Sequence, residues 1–378
     1  MTQDYGYEID MLPVGSGEKS GDAIALRYGN STDGYKVMVV DGGTLESGEK
    51  LVEHIKKYYG TSRVDYMVCT HPDNDHSSGL RVVMEKMEVG ELWIHKPWKY
   101  SKHVLDYVSD GRVTHKSLTD NIQKSLSTAC SLEKMAKERS IPINEPLQGS
   151  HIGIFEVLSP NLDFYKTLLI EEYGDEAETA EERGLLGTLK SALDAGKEAI
   201  ARMIGEVWGV ETLREDGKTS PLNETSVVMF ASVSGRGILL TGDAGIRALT
   251  SAMDFADATM VPLHELRFIQ IPHHGSRRNV SPSLLNRLIG NPLPEGQSRS
   301  VSLSACVSAS GGSKTHPRKV VTNAFLRRGA TVVGTLGQTI RHHHEMPARD
   351  GWSAADKIPF HDVVESYEEA AAKVKEAA

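Results

Sequence analysis

The chain has 378 residues, 39% of them hydrophobic, and a net charge of −9, enough apolar material for one large core or two smaller ones. No apolar run approaches the ~20 residues of a membrane span, and the segment Met1 to Tyr5 opens no signal peptide. Cys69, Cys130 and Cys306 are odd in number and scattered, which excludes a disulfide framework or a zinc ribbon and points to a reducing, cytoplasmic compartment. Residues 6–45 alternate in the β manner with Gly-rich turns. Glu46 to Gly60 reads as an amphipathic helix ended by Gly60.

Val64 to Thr70 reads as a buried strand and Ser77 to Met84 as a helix start. Between them stands His71-Pro72-Asp73-Asn74-Asp75-His76, in which four of six residues are metal-ligand types. Ligands on a strand-to-helix loop are held by two rigid elements, which suits a preorganised metal site. Cys69, two residues before His71, reads as a small core residue. Glu91 to Ile94 is a short strand, residues 99–141 are largely helical, Ile152 to Leu158 returns to strand, and 161–222 reads as helical again. Thr225–Val233 and Gly237–Leu240 form a hairpin that leads into Gly242-Asp243. Phe268 to Ile271 is a strand that runs into Pro272-His273-His274-Gly275-Ser276. A Gly/Ser-rich loop, Ser308 to Ser313, precedes Lys314, His316 and a helix opened by Pro317. The rest alternates strand and helix, and Glu368 to Ala378 reads as an Ala/Glu/Lys helix. There is no internal repeat.

Three strand-end loops, carrying His71 to His76, Asp243 and His273-His274, resemble in their order the metallo-β-lactamase superfamily. The variant they resemble most is the hydrolase domain of the competence protein ComEC and its soluble relatives, with His-x-Asp-x-Asp-His and a His-His-Gly-Ser run. Gly21 to Ile24 and Val37 to Gly43 look like that domain's first hairpin, and Leu326 to Val332 like its closing helix and strand. The resemblance implies an α/β metallo-β-lactamase αββα sandwich, two mixed sheets flanked by helices. It implies a single domain over 1–378 with helical insertions at about 99–145 and 161–222.

It also implies two divalent metal ions. Of the candidate ligands, His71 and Asp73 are assigned to one ion, and Asp75 and His76 to the other. Asp243 would bridge them, and one of His273 and His274 would complete the second. Side chains alternate along a strand, so only one of that pair is expected to face the site. A bound divalent metal lowers the pKa of water from ~15.7 to roughly 7, which supplies a hydroxide nucleophile at neutral pH. Asp73, standing where the wider superfamily has His, shifts preference toward manganese or magnesium without excluding zinc. The superfamily's usual His before Asp243 is not obvious; Asn223-Glu224-Thr225-Ser226 matches the variant's Asn-x-x-Ser there. Asn223 or Ser226 would orient a water or a substrate oxygen, or the segment is an Asx or ST turn that opens the strand. His151 is a rival for the third ligand position, and His95, at a strand end, is a candidate cleft residue. His316 is a candidate catalytic acid or phosphate contact, since a helix N-terminus beside Lys and His suits an anion. Asp75, His316 and Asn223 are thus the candidate catalytic residues.

Charge bears on the substrate. Residues 161–222 hold fourteen Asp/Glu against seven Lys/Arg, and residues 261–345 eleven Lys/Arg against three Asp/Glu. A basic surface beside metals attracts polyanions; the bland reading is a solvated helix face, above all for Arg327 and Arg328. Ser276, Arg277, Arg278 and Lys314 are the candidate substrate contacts. His342-His343-His344 reads as a solvated turn. No strand–GxGxxG–helix unit and no Gly-x-Ser-x-Gly elbow is present, which argues against dinucleotide and serine-hydrolase chemistry. The expected function is dinuclear metal-dependent phosphodiester hydrolysis, as a nuclease on DNA or RNA. The alternatives are a small-molecule hydrolase, acting on a cyclic nucleotide, a phosphorylcholine ester or a lactone beneath the acidic insertion, and a scaffold that keeps the fold without catalysis.

Overall fold

The structure is a computed structural model and describes residues 5–17, 20–174 and 203–367. Two sheets stack face to face. The first comprises β1 (Gly6–Met11), β2 (Ala23–Asn30), β3 (Gly34–Gly42), β4 (Arg63–Cys69), β5 (Glu88–Ile94), β6 (Ile143–Asn144) and β15 (Ile340–His344), in the order β15-β1-β2-β3-β4-β5-β6. The second comprises β7 (His151–Ile152), β8 (Phe155–Ser159), β10 (Val228–Val233), β11 (Arg236–Leu240), β12 (Leu266–Gln270), β13 (Ser304–Val307) and β14 (Thr331–Gly334), in the order β14-β13-β12-β11-β10-β8-β7. A separate pair joins β9 (Met203–Gly205) to β16 (Val363–Glu365).

Period-two alternation builds the layers. Tyr7, Ile9 and Met11 of β1 point between the sheets, where they meet Met229, Ile238, Leu240 and Phe268 of the second sheet. On the outer face of the first sheet, Val39 and Met67 receive Leu51 of helix Leu45–His54 and Leu80 and Val83 of helix Asn74–Lys86. On the outer face of the second, Ile269 and Ala305 receive Leu249 of helix Ile246–Thr259, Leu285 of helix Pro282–Ile289 and Phe325 of helix Lys319–Arg327. The molecule is therefore an αββα sandwich with mixed sheets.

Topology positions the site. β3, β4 and β5 are mutually parallel, and so are β11, β12 and β13, so the carboxyl ends of each set share one edge of their sheet. Helix Asn74–Lys86 rests directly on backbone: a Cβ on Gly79 would stand 1.9 Å from the Gly42 carbonyl oxygen, and one on Gly48 2.4 Å from the Gly79 carbonyl oxygen. Only glycine permits that approach, which sets the Asp75-His76 turn beside the end of β3.

The first insertion forms helices Ser101–Leu105, His115–Ser125 and Ser127–Glu138, packed on the outer face of the first sheet through Leu118, Ile122 and Leu132. The second departs from the helical expectation. Leu162–Tyr173 is helical, but among the described residues that follow, Met203–Gly205 is a strand and the next regular helix is Pro221–Glu224. Gly205, Gly209 and Gly217 break helical continuity, and the carbonyls of Val207, Trp208 and Val210 are bonded to Arg327 instead of to a helix. Residues 175–202 and the expected helix Glu368 to Ala378 lie outside the described residues.

Two further expectations are corrected. His342-His343-His344 is not a turn: it is strand β15, in register with Ile9, Glu8 and Tyr7, and His342 Nε2 lies 3.1 Å from the Tyr7 hydroxyl. Arg327 and Arg328 are not solvated, at 1% and 0% exposure. Arg328 is paired with Glu211 and Asn286, and Arg327 with the carbonyls above and Glu206. Their partners between Glu206 and Glu211 lie over a hundred residues away along the chain, out of reach of any local pattern.

Candidate metal centre

Four imidazoles converge on one carboxylate. Asp243 follows β11 and is buried. His76 Nε2 lies 3.4 Å from its Oδ1, while His273, His71 and His274 place Nε2 at 3.5, 3.8 and 3.8 Å from its Oδ2. Asp73 Oδ2 stands 3.7 Å from His71 Nε2. The ligand atoms of Asp75, His76 and His274 all fall within 4.8 Å of one another. Two donors that share an ion at ~2.0–2.2 Å stand about 3–4 Å apart, which is the spacing observed.

Both histidines of the pair face the centre, contrary to the alternation argument. They do not continue β12; they occupy a tight turn, His273–Gly275, in which His273 and His274 have φ of 47° and 55°. Left-handed backbone costs a non-glycine residue roughly 1–2 kcal/mol. Two in succession swing both rings toward Asp243.

Each imidazole is oriented through its other nitrogen. Thr70 Oγ1 donates its proton to Asp41 Oδ2 at 2.6 Å, so it accepts from His71 Nδ1 at 3.0 Å. His76 Nδ1 donates to Asp41 Oδ2 at 2.8 Å. His274 Nδ1 donates to the Ser308 carbonyl at 3.0 Å. Asn279 uses its amide nitrogen on the carbonyls of Asp243 and Ala244, leaving its oxygen to accept from His273 Nδ1 at 2.9 Å. All four rings therefore carry the proton on Nδ1 and present the Nε2 lone pair inward, the tautomer a metal ligand needs. The Nε2 atoms of His71, His76 and His274 and Oδ1 of Asp243 are buried and have no hydrogen-bond partner. Buried polar atoms are normally paired; these four fit a cation as the missing partner.

The electrostatics agree. Burial alone would raise the Asp243 carboxyl, but His273, His76 and His274 outweigh it and hold the group well below its ordinary value. Burial opposes charge on His76, yet Asp243 and Asp41 raise its pKa well above normal. Burial, aided by Asp243 and Asp41, pushes the Asp22 carboxyl up to about 8. The centre attracts positive charge strongly enough to recruit protons.

The remaining candidates are arranged around this core. Ser226 Oγ accepts from the Asp243 backbone N–H at 3.1 Å and so fixes that turn. Asn223 is buried on the short helix Pro221–Glu224, 3.3 Å from His273 Nδ1. His316 stands beside the His273–Gly275 turn, since Arg318 N–H donates to the Gly275 carbonyl at 3.1 Å. Burial drives the His316 pKa down to about 3. The helix after it starts at Lys319, not Pro317, and its first N–H groups, those of Lys319 and Val320, are capped by Glu365. The expected anion site at that helix end is thus filled by the chain's own carboxylate. Ser276 Oγ accepts from Arg278 N–H. Arg277 bonds the Ser366 carbonyl at 2.7 Å and lies 4.4 Å over the Tyr367 ring. Arg278 and Lys314 are exposed.

His151 is exposed on β7, an edge strand of the second sheet. His95 is buried and stacks on Tyr165 at 4.5 Å with no hydrogen bond at either ring nitrogen. It does not line an open cleft. Cys69 is a buried core residue, as expected, with Sγ donating to the His71 carbonyl. Sequence reasoning missed Asp41, Asp22, Thr70 and Asn279. A signal existed for Asp41: Val37 to Val40 ends on a carboxylate, as the segment before Asp243 does. Thr70 and Asn279 lie within the quoted motifs or just past them, but their role depends on side-chain direction.

Residues 22–157 match the family model of the metallo-β-lactamase superfamily. No curated protein sequence matches the chain. Among solved structures, the hydrolase AbOPH of the β-lactamase superfamily is 10% identical, covering 64% of this chain and 72% of its own, with a TM-score of 0.30. A diphosphatase of the PhnP family is 9% identical over 90% of this chain and 98% of its own, with a TM-score of 0.35. The long form of RNase Z from yeast is 10% identical over 81% of this chain and 37% of its own, with a TM-score of 0.34. Residues 22–157 are thus similar to the metallo-β-lactamase superfamily, and the two-sheet αββα architecture is compatible with that likeness.

Proposed function

We propose that this chain is a two-metal hydrolase of phosphodiester bonds, with nucleic acid as its preferred substrate class. The observation that carries the reading is the convergence of four Nε2 lone pairs on the Asp243 carboxylate. His71, Asp73 and His273 would hold one ion, and Asp75, His76 and His274 the other, with Asp243 shared. Both histidines of the pair are then used, and His273 supplies the ligand that the region before Asp243 lacks. Manganese, zinc or magnesium fits such a mixed set of nitrogen and oxygen donors.

Bound ions of this kind supply Lewis acidity and a lowered pKa for water. The chain's own residues do the rest. Asp73, with 40% of its side chain exposed, and His273, with 28%, mark the open side of the centre, where a substrate would enter. Asn223, beside His273, would orient a water or a phosphoryl oxygen. His316, kept neutral by burial, would donate a hydrogen bond to the scissile group. Arg277, Arg278 and Lys314 would steer the anionic substrate, and Ser276, buried beside them, would hold the turn that carries the two arginines.

A second reading is favoured by one observation. Three cations of the basic third, Arg318, Arg327 and Arg328, are buried and engaged within the protein. Less positive surface remains for a polymer, which favours a compact phosphodiester substrate. The deciding experiment treats metal-stripped protein with manganese, zinc or magnesium and offers labelled DNA, RNA and a small phosphodiester, beside Asp75→Ala. Metal-dependent cleavage of nucleic acid, weakened by salt and lost in the variant, supports the nuclease. Cleavage of the small ester alone supports the second reading, and cleavage of neither overturns phosphodiester hydrolysis.

A further inference from the structure

A cavity of about 700 Å³ lies away from the metal centre, between the β14–β15 turn and residues 348–356. None of its lining residues is a candidate metal ligand. Its wall follows from strand alternation. The even positions of β1, Glu8 and Asp10, face outward from the sandwich, yet both are fully buried. Arg27, Arg341 and Arg349 reach these carboxylates, and the Tyr59 hydroxyl donates to Asp10 at 2.7 Å. His54 Nε2 stands 3.0 Å from Asp10 Oδ2. Three guanidinium groups face two carboxylates, so the arginines exceed the carboxylates by one positive charge.

That charge has an outlet. Arg349 lines the cavity, and its side chain is 7% exposed. Its two Nη groups bond Asp10 and Glu8, but its Nε–H is buried and has no acceptor. The Trp352 ring, 4.9 Å from the Arg349 guanidinium, also lines the cavity, with Gln338 and Thr339 as polar neighbours. Asp356, exposed, is the one carboxylate on the lining. The volume falls within the ~300–1,000 Å³ of small-molecule sites.

We propose that this cavity binds a small oxyanion, a phosphate- or carboxylate-bearing molecule no larger than a nucleotide. The oxyanion balances the residual positive charge at the Arg349 side chain on the cavity wall, while Trp352, Gln338 and Thr339 face the remainder of the molecule. This site is independent of the hydrolase reading.

Calorimetric titration of the metal-loaded chain with inorganic phosphate, citrate and AMP tests it, with tryptophan emission as a second readout. Arg349 also anchors the fold, so the variants are Ala354→Glu and Ala354→Lys, at an exposed residue of the cavity wall. The expected result is binding of at least one probe, weakened about tenfold by the added carboxylate and strengthened by the added lysine. Metal content stays the same in both. Preference among the probes separates phosphate from carboxylate and a bare anion from a nucleotide. The proposal is overturned if no probe binds, or if both variants bind as the parent does, which would assign all oxyanion binding to the metal centre.

Discussion

The Asp243 cluster and the cluster around Arg328 both bury dense polarity, yet only the second closes on itself. Around Arg328, donors meet Glu211, Asn286 and two backbone carbonyls, and the segment after β9 is thereby fastened to the second sheet. Around Asp243, each imidazole is bonded on its outer side while three inner Nε2 atoms and a carboxylate oxygen are left open. A cluster satisfied by its own members holds structure. A cluster whose unsatisfied atoms point to one place holds a ligand. Counting charged residues along the chain does not separate the two cases, because it records neither direction nor partner.

Substitutions that act on one cluster and not the other would sharpen this contrast. The largest effect is expected at the open cluster: Asp243→Ala removes the shared carboxylate. Metal content by elemental analysis should drop from two ions per chain to one or none, and hydrolysis should fall by about 10³-fold or more. At the closed cluster, Arg328→Ala leaves Glu211 without its partner. Breaking a buried pair costs about 3–5 kcal/mol, so the urea midpoint should fall sharply with metal content preserved. Loss of metal in that variant would mean that the two clusters are coupled.

A smaller effect is expected one layer out from the ions. Asp41 orients His76 directly and His71 through Thr70, and it has a φ of 57°, which asparagine tolerates. Asp41→Asn should keep the fold and weaken metal affinity by roughly 10–100-fold in a competition titration. Unchanged affinity would show that the Nδ1 bonds do not tune the centre.

The smallest effect concerns His95, a buried histidine outside both clusters. Burial pushes its pKa down to about 3, below the ~6.5 of the unfolded chain. The unfolded state therefore binds the proton first as pH falls. The contribution of neutral His95 is complete above about pH 6.5 and is lost progressively toward pH 3. His95→Phe retains the stack on Tyr165 and should flatten the decline of stability between pH 6.5 and 4, read from urea midpoints. An unaltered slope would place the acid sensitivity elsewhere.

What was legible in the chain follows the same division. His71 to His76, Asp243 and the His273-His274 pair stand at strand ends, where hydrophobic runs stop and ligand types begin, so local pattern located them. The αββα architecture was legible through the order of those loops. Three things were hidden. The backbone turn that brings both His273 and His274 inward is a matter of φ, which no alternation rule supplies for a residue past a strand end. The burial of Arg327 and Arg328 depends on Glu206 to Glu211, far away in the chain. Glu365 capping the helix after His316 is equally remote, and it alters the expected anion site more than any nearby residue does.

The central claim is that two ions share Asp243, and the most direct test counts them. Stripped protein would be reloaded with manganese or zinc, and bound metal measured per chain in the parent, in His273→Ala and in His274→Ala. The account predicts two ions in the parent and weakened binding of a different one in each variant. One ion in the parent, or full occupancy retained in either variant, would contradict it.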